Sequence, residues 1–167
     1  MDLKKDLNKE ILKDVSLEEI APKPKAPETP AQRWTTPVLA ERLAYLNKMA
    51  RLDKGEASET IRSFPGHKAV LVYRHRDGKA EIHARHADLF FVQSGSATLV
   101  SGGEIVDAQV TKPDEIRGKA ITGGTEQPMR PGDVLHIPAG VPHQMKVSSE
   151  EGVSCFLMKI EEPKPAI

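Results

Sequence analysis

The chain predicts an all-β fold, a jelly-roll β-barrel carrying one amphipathic helix on its N-terminal side. Three observations predict it. From His67 onward, β-branched and aromatic residues recur in runs of strand length with a period of two. Turn chemistry separates those runs at Asp77-Gly78, Gly95, Gly102-Gly103, Pro131-Gly132, Pro138-Ala139-Gly140 and Glu150-Glu151-Gly152. The result is eight or more short strands at close spacing, the signature of a barrel or double-sheet jelly roll.

Taken in order, the chain opens on Leu3, Leu7, Ile11 and Val15, a faint helical stripe between charges. Pro22, Pro24, Pro27 and Pro30 follow, and proline at that density favours an extended tether. Residues 1–33 therefore read as a flexible, disordered charged and proline-rich arm. Thr36-Pro37 reads as an N-cap followed by the first helical residue. Leu39, Leu43, Leu46 and Ala50 stand at helical spacing and Gly55 supplies the stop, so a helix spans about 37–54. Its leucine face is suited to the barrel or to a second subunit, and Trp34 is a structural anchor beside it. Strands are expected at 69–76 and 79–83, joined as a hairpin through Asp77-Gly78. Further strands fall at 88–94, 97–101 and 104–110. Residues 111–130 read as an irregular connection with a strand near Ile121. A strand lies between the turns at Gly132 and Pro138, another through 145–147, and the last at 153–160. The barrel domain, helix included, covers 34–162, and Pro163 and Pro165 mark a frayed tail at 163–167.

Composition narrows the function classes. Lysine plus arginine and aspartate plus glutamate balance at 24 each, so nothing selects nucleic acid or an anionic membrane surface as a partner. No run approaches the length of a membrane span. Residues 1–20 hold no hydrophobic leader, and a cytoplasmic location is the expectation. Cys155 is the single cysteine; it sits in the apolar run 153–158 and reads as a buried structural thiol.

Two stretches carry the chemistry. The second reads Gly132-x5-Pro138-x-Gly140-x-x-His143, and the first reads Glu81-x-His83-x4-Asp88-x6-Gly95. In that order they resemble the two motifs of the cupin superfamily of small β-barrels. The departures are specific: Glu81 stands at the first histidine position, Asp88 at the glutamate position, and Val147 at the terminal asparagine-like position. The resemblance spans about residues 67–160 and implies a metal site in the barrel, with His83, His143 and Asp88 on family ligand positions. Asp114-Glu115-Ile116-Arg117-Gly118 with Gly123-Gly124 is similar to a run found beside these motifs in a subgroup of small single-domain bacterial cupins, and implies no particular reaction.

Strand alternation puts Glu81 and His83 on one face, where His143 and Asp88 could converge with them. Two imidazoles with one or two carboxylates suit a divalent transition metal such as Fe, Mn, Ni or Zn. Each residue has a second reading. Glu81 is a ligand or the cross-strand partner of Arg74, which the hairpin register places opposite it. Asp88 is a ligand or a cap on a turn; His83 and His143 are ligands or hydrogen-bonded core histidines. His136 lines the pocket or points outward, and His86 belongs to the loop rim. Arg117 binds an anion at the barrel mouth or braces Glu115. His67 and His75 read as surface or edge residues. The leading expectation is a metal-dependent oxygenase, isomerase or lyase acting on a small oxygen-rich or carbonyl substrate. The alternatives are a non-catalytic barrel that binds or senses a metabolite, favoured by the missing first histidine and by Val147, and a structural dimerisation barrel. A homodimer is expected, because open sheets expose edges and the leucine face of the helix needs a partner.

Overall fold

The computed structural model describes residues 31–148 and 150–163. The arm expected up to residue 33 falls almost wholly outside the described residues, as does most of the tail. Helix α1 (Thr36–Leu52) leads into β1 (Glu56–Phe64), β2 (His67–Arg74), β3 (Ala80–His83), β4 (His86–Gly95) and β5 (Ala97–Ser101). There follow β6 (Glu104–Val106), β7 (Gln109–Lys112), β8 (Glu115–Gly118), β9 (Ala120–Thr122) and β10 (Thr125–Met129). The chain closes with β11 (Val134–Ile137), β12 (His143–Lys146) and β13 (Val153–Glu161). One antiparallel sheet runs β1-β2-β13-β4-β11, a second runs β10-β5-β12-β3-β8-β7, and β6 pairs with β9 beside them. The inward-facing residues of the two large sheets, among them Val70, Phe90, Leu99, Met145, Cys155 and Leu157, form one apolar core between the layers. The architecture is a cupin-type jelly-roll β-barrel.

The helix begins one residue earlier than its sequence signal, with Thr35 as N-cap and Pro37 in the first turn. Gly55 at φ +88° returns its N–H to the Ala50 carbonyl at 3.0 Å, the left-handed closure that glycine allows without a Cβ penalty. Leu43, Leu46 and Ala50 are buried against Leu71 and Tyr73 of β2, with Phe156 of β13 at their side. The leucine face thus rests on its own barrel. Trp34 packs its ring 5.4 Å from that of Phe156.

Three expectations are corrected. The hairpin at Asp77-Gly78 does not form, because β2 bonds to β1 and β13 while β3 bonds to β12 and β8 in the other sheet. Residues 75–79 are instead a corner between sheets. The Asp77 carboxylate accepts from Val147 N–H at 2.8 Å, and Gly78 N–H donates to the Met145 carbonyl at 2.8 Å. The strand expected at 104–110 is broken into β6 and β7 at Asp107, whose φ of +54° is left-handed. The connection at 111–130 contains β8, β9 and β10. Strand β1, which the sequence expectations above leave out, adds the edge beside β2 and joins it through Pro65-Gly66, with Gly66 at φ +77°.

Candidate functional site

A cavity of about 520 Å³ lies inside the barrel, walled by residues of β1, β2, β4 and β13 from one sheet and β3, β7, β8 and β12 from the other. Strand β1 is an edge of the first sheet and β7 an edge of the second, and both contribute to the cavity wall. Register decides which side chains meet inside. Glu81 on β3 is paired with His143 on β12 and with Arg117 on β8. In the opposite sheet Asp88 on β4 is paired with Lys159 on β13, and Lys159 with Lys68 on β2.

The structure brings Glu81, His83 and His143 together, with one donor atom from each lying within 4.8 Å of the others. His143 Nδ1 is 3.0 Å from the Val141 carbonyl. Donation there leaves the Nε2 lone pair facing the cavity. That Nε2 is buried and has no hydrogen-bond partner among the described residues; Glu81 Oε1 lies 3.6 Å away and Asp88 Oδ2 3.8 Å away. His83 Nε2 lies 3.8 Å from Glu81 Oε1 and 3.5 Å from Asp88 Oδ2. The imidazole rings stand 5.3 Å apart.

Asp88 is almost fully buried and is spoken for. Lys159 Nζ donates to its two oxygens at 2.8 and 3.0 Å and lies 3.2 Å from His83 Nε2. The turn-capping alternative for Asp88 is therefore replaced by a lysine partner. No motif points to Lys159, although alternation along β13 puts it in phase with the inward Cys155 and Leu157. That phase was the available signal.

Arg74 is not the partner of Glu81, because β2 and β3 lie in different sheets. Its guanidinium pairs with Glu56 and still borders the cavity. The partner of Glu81 is Arg117, whose Nη2 lies 3.1 Å from Glu81 Oε2 and whose Nε donates to Glu115 Oε1 at 2.5 Å. Arg117 thus braces Glu115, as one sequence reading had it, and Glu81 as well. His136 is exposed on β11 and does not border the cavity. Val147 is buried in the core and is likewise no part of the cavity wall. His86 does not border the cavity either; His67 stacks on Phe64, and His75 Nε2 lies 3.3 Å from the Ala50 carbonyl.

The electrostatics divide the histidines. Burial lowers the His83 pKa and the Lys159 charge lowers it further, outweighing Asp88 and Glu81. For His143 burial also opposes the charged form, but the Glu81 carboxylate, the Val141 carbonyl and Asp88 prevail and raise its pKa. Burial alone would push the Glu81 carboxyl up; His143, His83 and Arg117 overcome it and hold the group at about 2. Cys155 is pushed up to about 12 by burial, as befits an inert core thiol.

Two imidazole nitrogens and an ionised carboxylate suit a divalent transition metal, and the unpartnered His143 Nε2 is the atom in this wall that calls for a ligand. The residues fit a metal ion in donor type and grouping. The ammonium of Lys159 is the feature that competes with one.

The jelly-roll barrel and the polar pocket inside it define a cupin-fold protein. A solved structure with this fold is TT1209 from Thermus thermophilus. It is 17% identical, its TM-score is 0.52, and the match covers 74% of this chain and 95% of that one. KdgF from Halomonas sp. is 18% identical at a TM-score of 0.47, covering 65% of this chain and 83% of that one. A cupin 2 conserved barrel domain protein from Salinispora arenicola is 17% identical at a TM-score of 0.45, covering 66% and 79% respectively. At these identities the likeness is one of fold. No family model matches the chain, and no curated protein matches it in sequence. Among the described residues no helix is long and apolar enough to cross a membrane.

Proposed function

We propose that the barrel holds one divalent transition-metal ion on His83, His143 and Glu81 and acts there on a small molecule. The observation that carries this reading is the buried, unpartnered His143 Nε2, grouped with the His83 and Glu81 donors. A metal ion so bound would act as a Lewis acid or an oxygen site, the chemistry of an oxygenase, isomerase or lyase. The surrounding side chains have separate tasks. Val141 fixes the tautomer of His143. Arg117 pairs with Glu81 Oε2 and holds the carboxylate toward the cavity. Lys159 takes up the charge of Asp88, leaving Glu81 as the carboxylate donor. We propose with it a cytoplasmic protein that has neither nucleic acid nor membrane as partner.

A second reading has its own observation. Lys159 Nζ sits within hydrogen-bond distance of both His83 and Asp88, so the barrel's own ammonium could fill the cationic position and leave a pocket that binds a metabolite without metal. Elemental analysis of protein purified without chelator separates the two. About one equivalent of a divalent metal is expected. His83→Ala and His143→Ala should each lose most of it while staying folded, and Lys159→Met should bind it more tightly. Metal-free wild-type protein that also refuses Fe(II), Mn, Ni and Zn would decide for the second reading.

We also propose a homodimer. With the leucine face of α1 spent on the barrel, the surfaces left for a second copy are the β1 edge and the exposed Val38, Tyr45 and Leu52, seven residues apart along the helix. Light scattering at tens of micromolar should return twice the chain mass; a monomer mass there removes the proposal.

A further inference from the structure

The geometry points to an anionic substrate: the cavity is built to receive a small organic anion, a carboxylate or phosphate ester, with Arg74 and a ring of lysines taking its charged end. The inference rests on the cavity being the functional pocket, as proposed above, and adds the class of molecule it admits.

Charge is distributed unevenly in this chain. Its formal net charge is zero, yet seven lysines and arginines border the cavity against five aspartates and glutamates. The pairing leaves that surplus of two unchanged and shows where it lies. Asp88 is taken by Lys159, Glu81 and Glu115 by Arg117, and Glu56 by Arg74. Those pairs use four of the five carboxylates and three of the seven cations. Lys54, Lys68, Lys79 and Lys112 remain, with no carboxylate at ion-pair distance among the described residues, against Asp53 alone. Four ammonium groups around one concave opening, backed by low-dielectric walls, raise the local concentration of anions.

Position gives the surplus a direction. Lys54 leads into β1 and Lys112 ends β7, two sheet edges that both border the cavity. Strand β2 alternates Lys68, Val70, Val72 and Arg74 along the cavity wall, an apolar middle with a cation at each end. Arg74 gives its Nη2 to the exposed Glu56 carboxylate, while the rest of its guanidinium borders the cavity. Its side chain is 18% exposed, and its guanidinium lies across Gly78 so closely that a Cβ there would stand 2.8 Å from Nη1. Glycine at the corner is what lets this planar group lie against the backbone, and a held guanidinium offers oxyanions a paired set of donors that a lysine lacks. The volume of about 520 Å³ suits a metabolite of modest size. An anion seated on Arg74 and the lysines would extend its remaining atoms toward Glu81, His83 and His143.

The test uses shape-matched pairs on the full-length protein, stripped of metal with a chelator. Succinate is titrated against succinamide, and glycerol 3-phosphate against glycerol, following the ring signals of His83 and His143 and the side-chain signal of Arg74 by NMR. At least one anion is expected to bind about tenfold tighter than its neutral partner, with the preference shrinking as salt rises. Arg74→Gln should erase most of that preference. Should that variant fail to fold, Lys79→Gln/Lys112→Gln, at exposed positions, is expected to reduce it severalfold. The two pairs tell carboxylate from phosphate. Equal binding within both pairs, or no movement of these signals by about 100 mM of any probe, overturns the inference. The metal-centre reading is judged separately: anion preference in protein that takes up no metal leaves this inference standing and sinks the other, and the reverse pattern sinks this one alone.

Discussion

Glu81 is the residue through which the pocket's charges communicate, since it faces both histidines and is held by Arg117. Its carboxyl is lowered from 4.5 to about 2 although burial pulls the other way. A folded-state pKa below the unfolded value stabilises the fold fully above about pH 4.5, and that contribution drains away as pH falls toward about 2. With its side chain 23% exposed, the contribution is on the order of 3 kcal/mol. Denaturant titrations of metal-free protein across that window should show a steep acid limb that Glu81→Gln flattens. Identical limbs in the two proteins would mean that Glu81 is not held as described. The neighbouring Asp88 shows how far motif counting reaches. Its position in the pocket was legible from the interval to Gly95, but its engagement by Lys159 depends on the pairing of β4 with β13, strands separated by most of the barrel sequence.

At the level of elements, the helix and the apolar strands were readable because their periodicity is strong. The burial of Leu43, Leu46 and Ala50 follows the spacing, and β13 lies within a residue of its expected span. What escaped was short or polar. Strands β7 and β10 are exposed along nearly their whole length and present no alternation for a period-two reading to detect. The Asp77-Gly78 misreading is more instructive. Asp-Gly between alternating runs is a sound hairpin signal, yet the same two residues here cap the end of β12 and hand the chain to the second sheet. Local sequence cannot distinguish those fates; the placement of Arg74 went wrong with it. The helix supplies a test of the corrected arrangement. Leu43→Glu puts a carboxylate against Leu71 and Tyr73, and the loss should be at least about 3 kcal/mol by chemical denaturation, the same at every protein concentration. A loss that appears only on dilution would instead assign this face to a subunit interface.

For the whole molecule, the feature with the widest consequence is that the polar cluster draws its members from opposite layers. Glu81, His83 and His143 belong to one sheet, and Asp88 and Lys159 to the other. Between the layers the apolar core supplies non-directional cohesion, whereas the cluster supplies a few directed contacts across the gap. A cation held on Glu81, His83 and His143 would grip one sheet directly and the other through the charge of Asp88. The Oδ2 of that aspartate lies 3.5 Å from His83 Nε2 and 3.8 Å from His143 Nε2. Such a cation would act as a rivet between two plates, with a grip felt well away from the cavity. Amide hydrogen exchange reports such a grip directly, because backbone groups exchange through openings whose free energy a bound ion raises. Adding the metal that elemental analysis identifies should slow exchange in β3 and β12 and, by a comparable factor, in β4 and β13, while β6 and β9 keep their rates. Protection confined to β3 and β12 would show that the two layers part independently of the site, and that the lysine-held aspartate is a bystander to whatever binds opposite it.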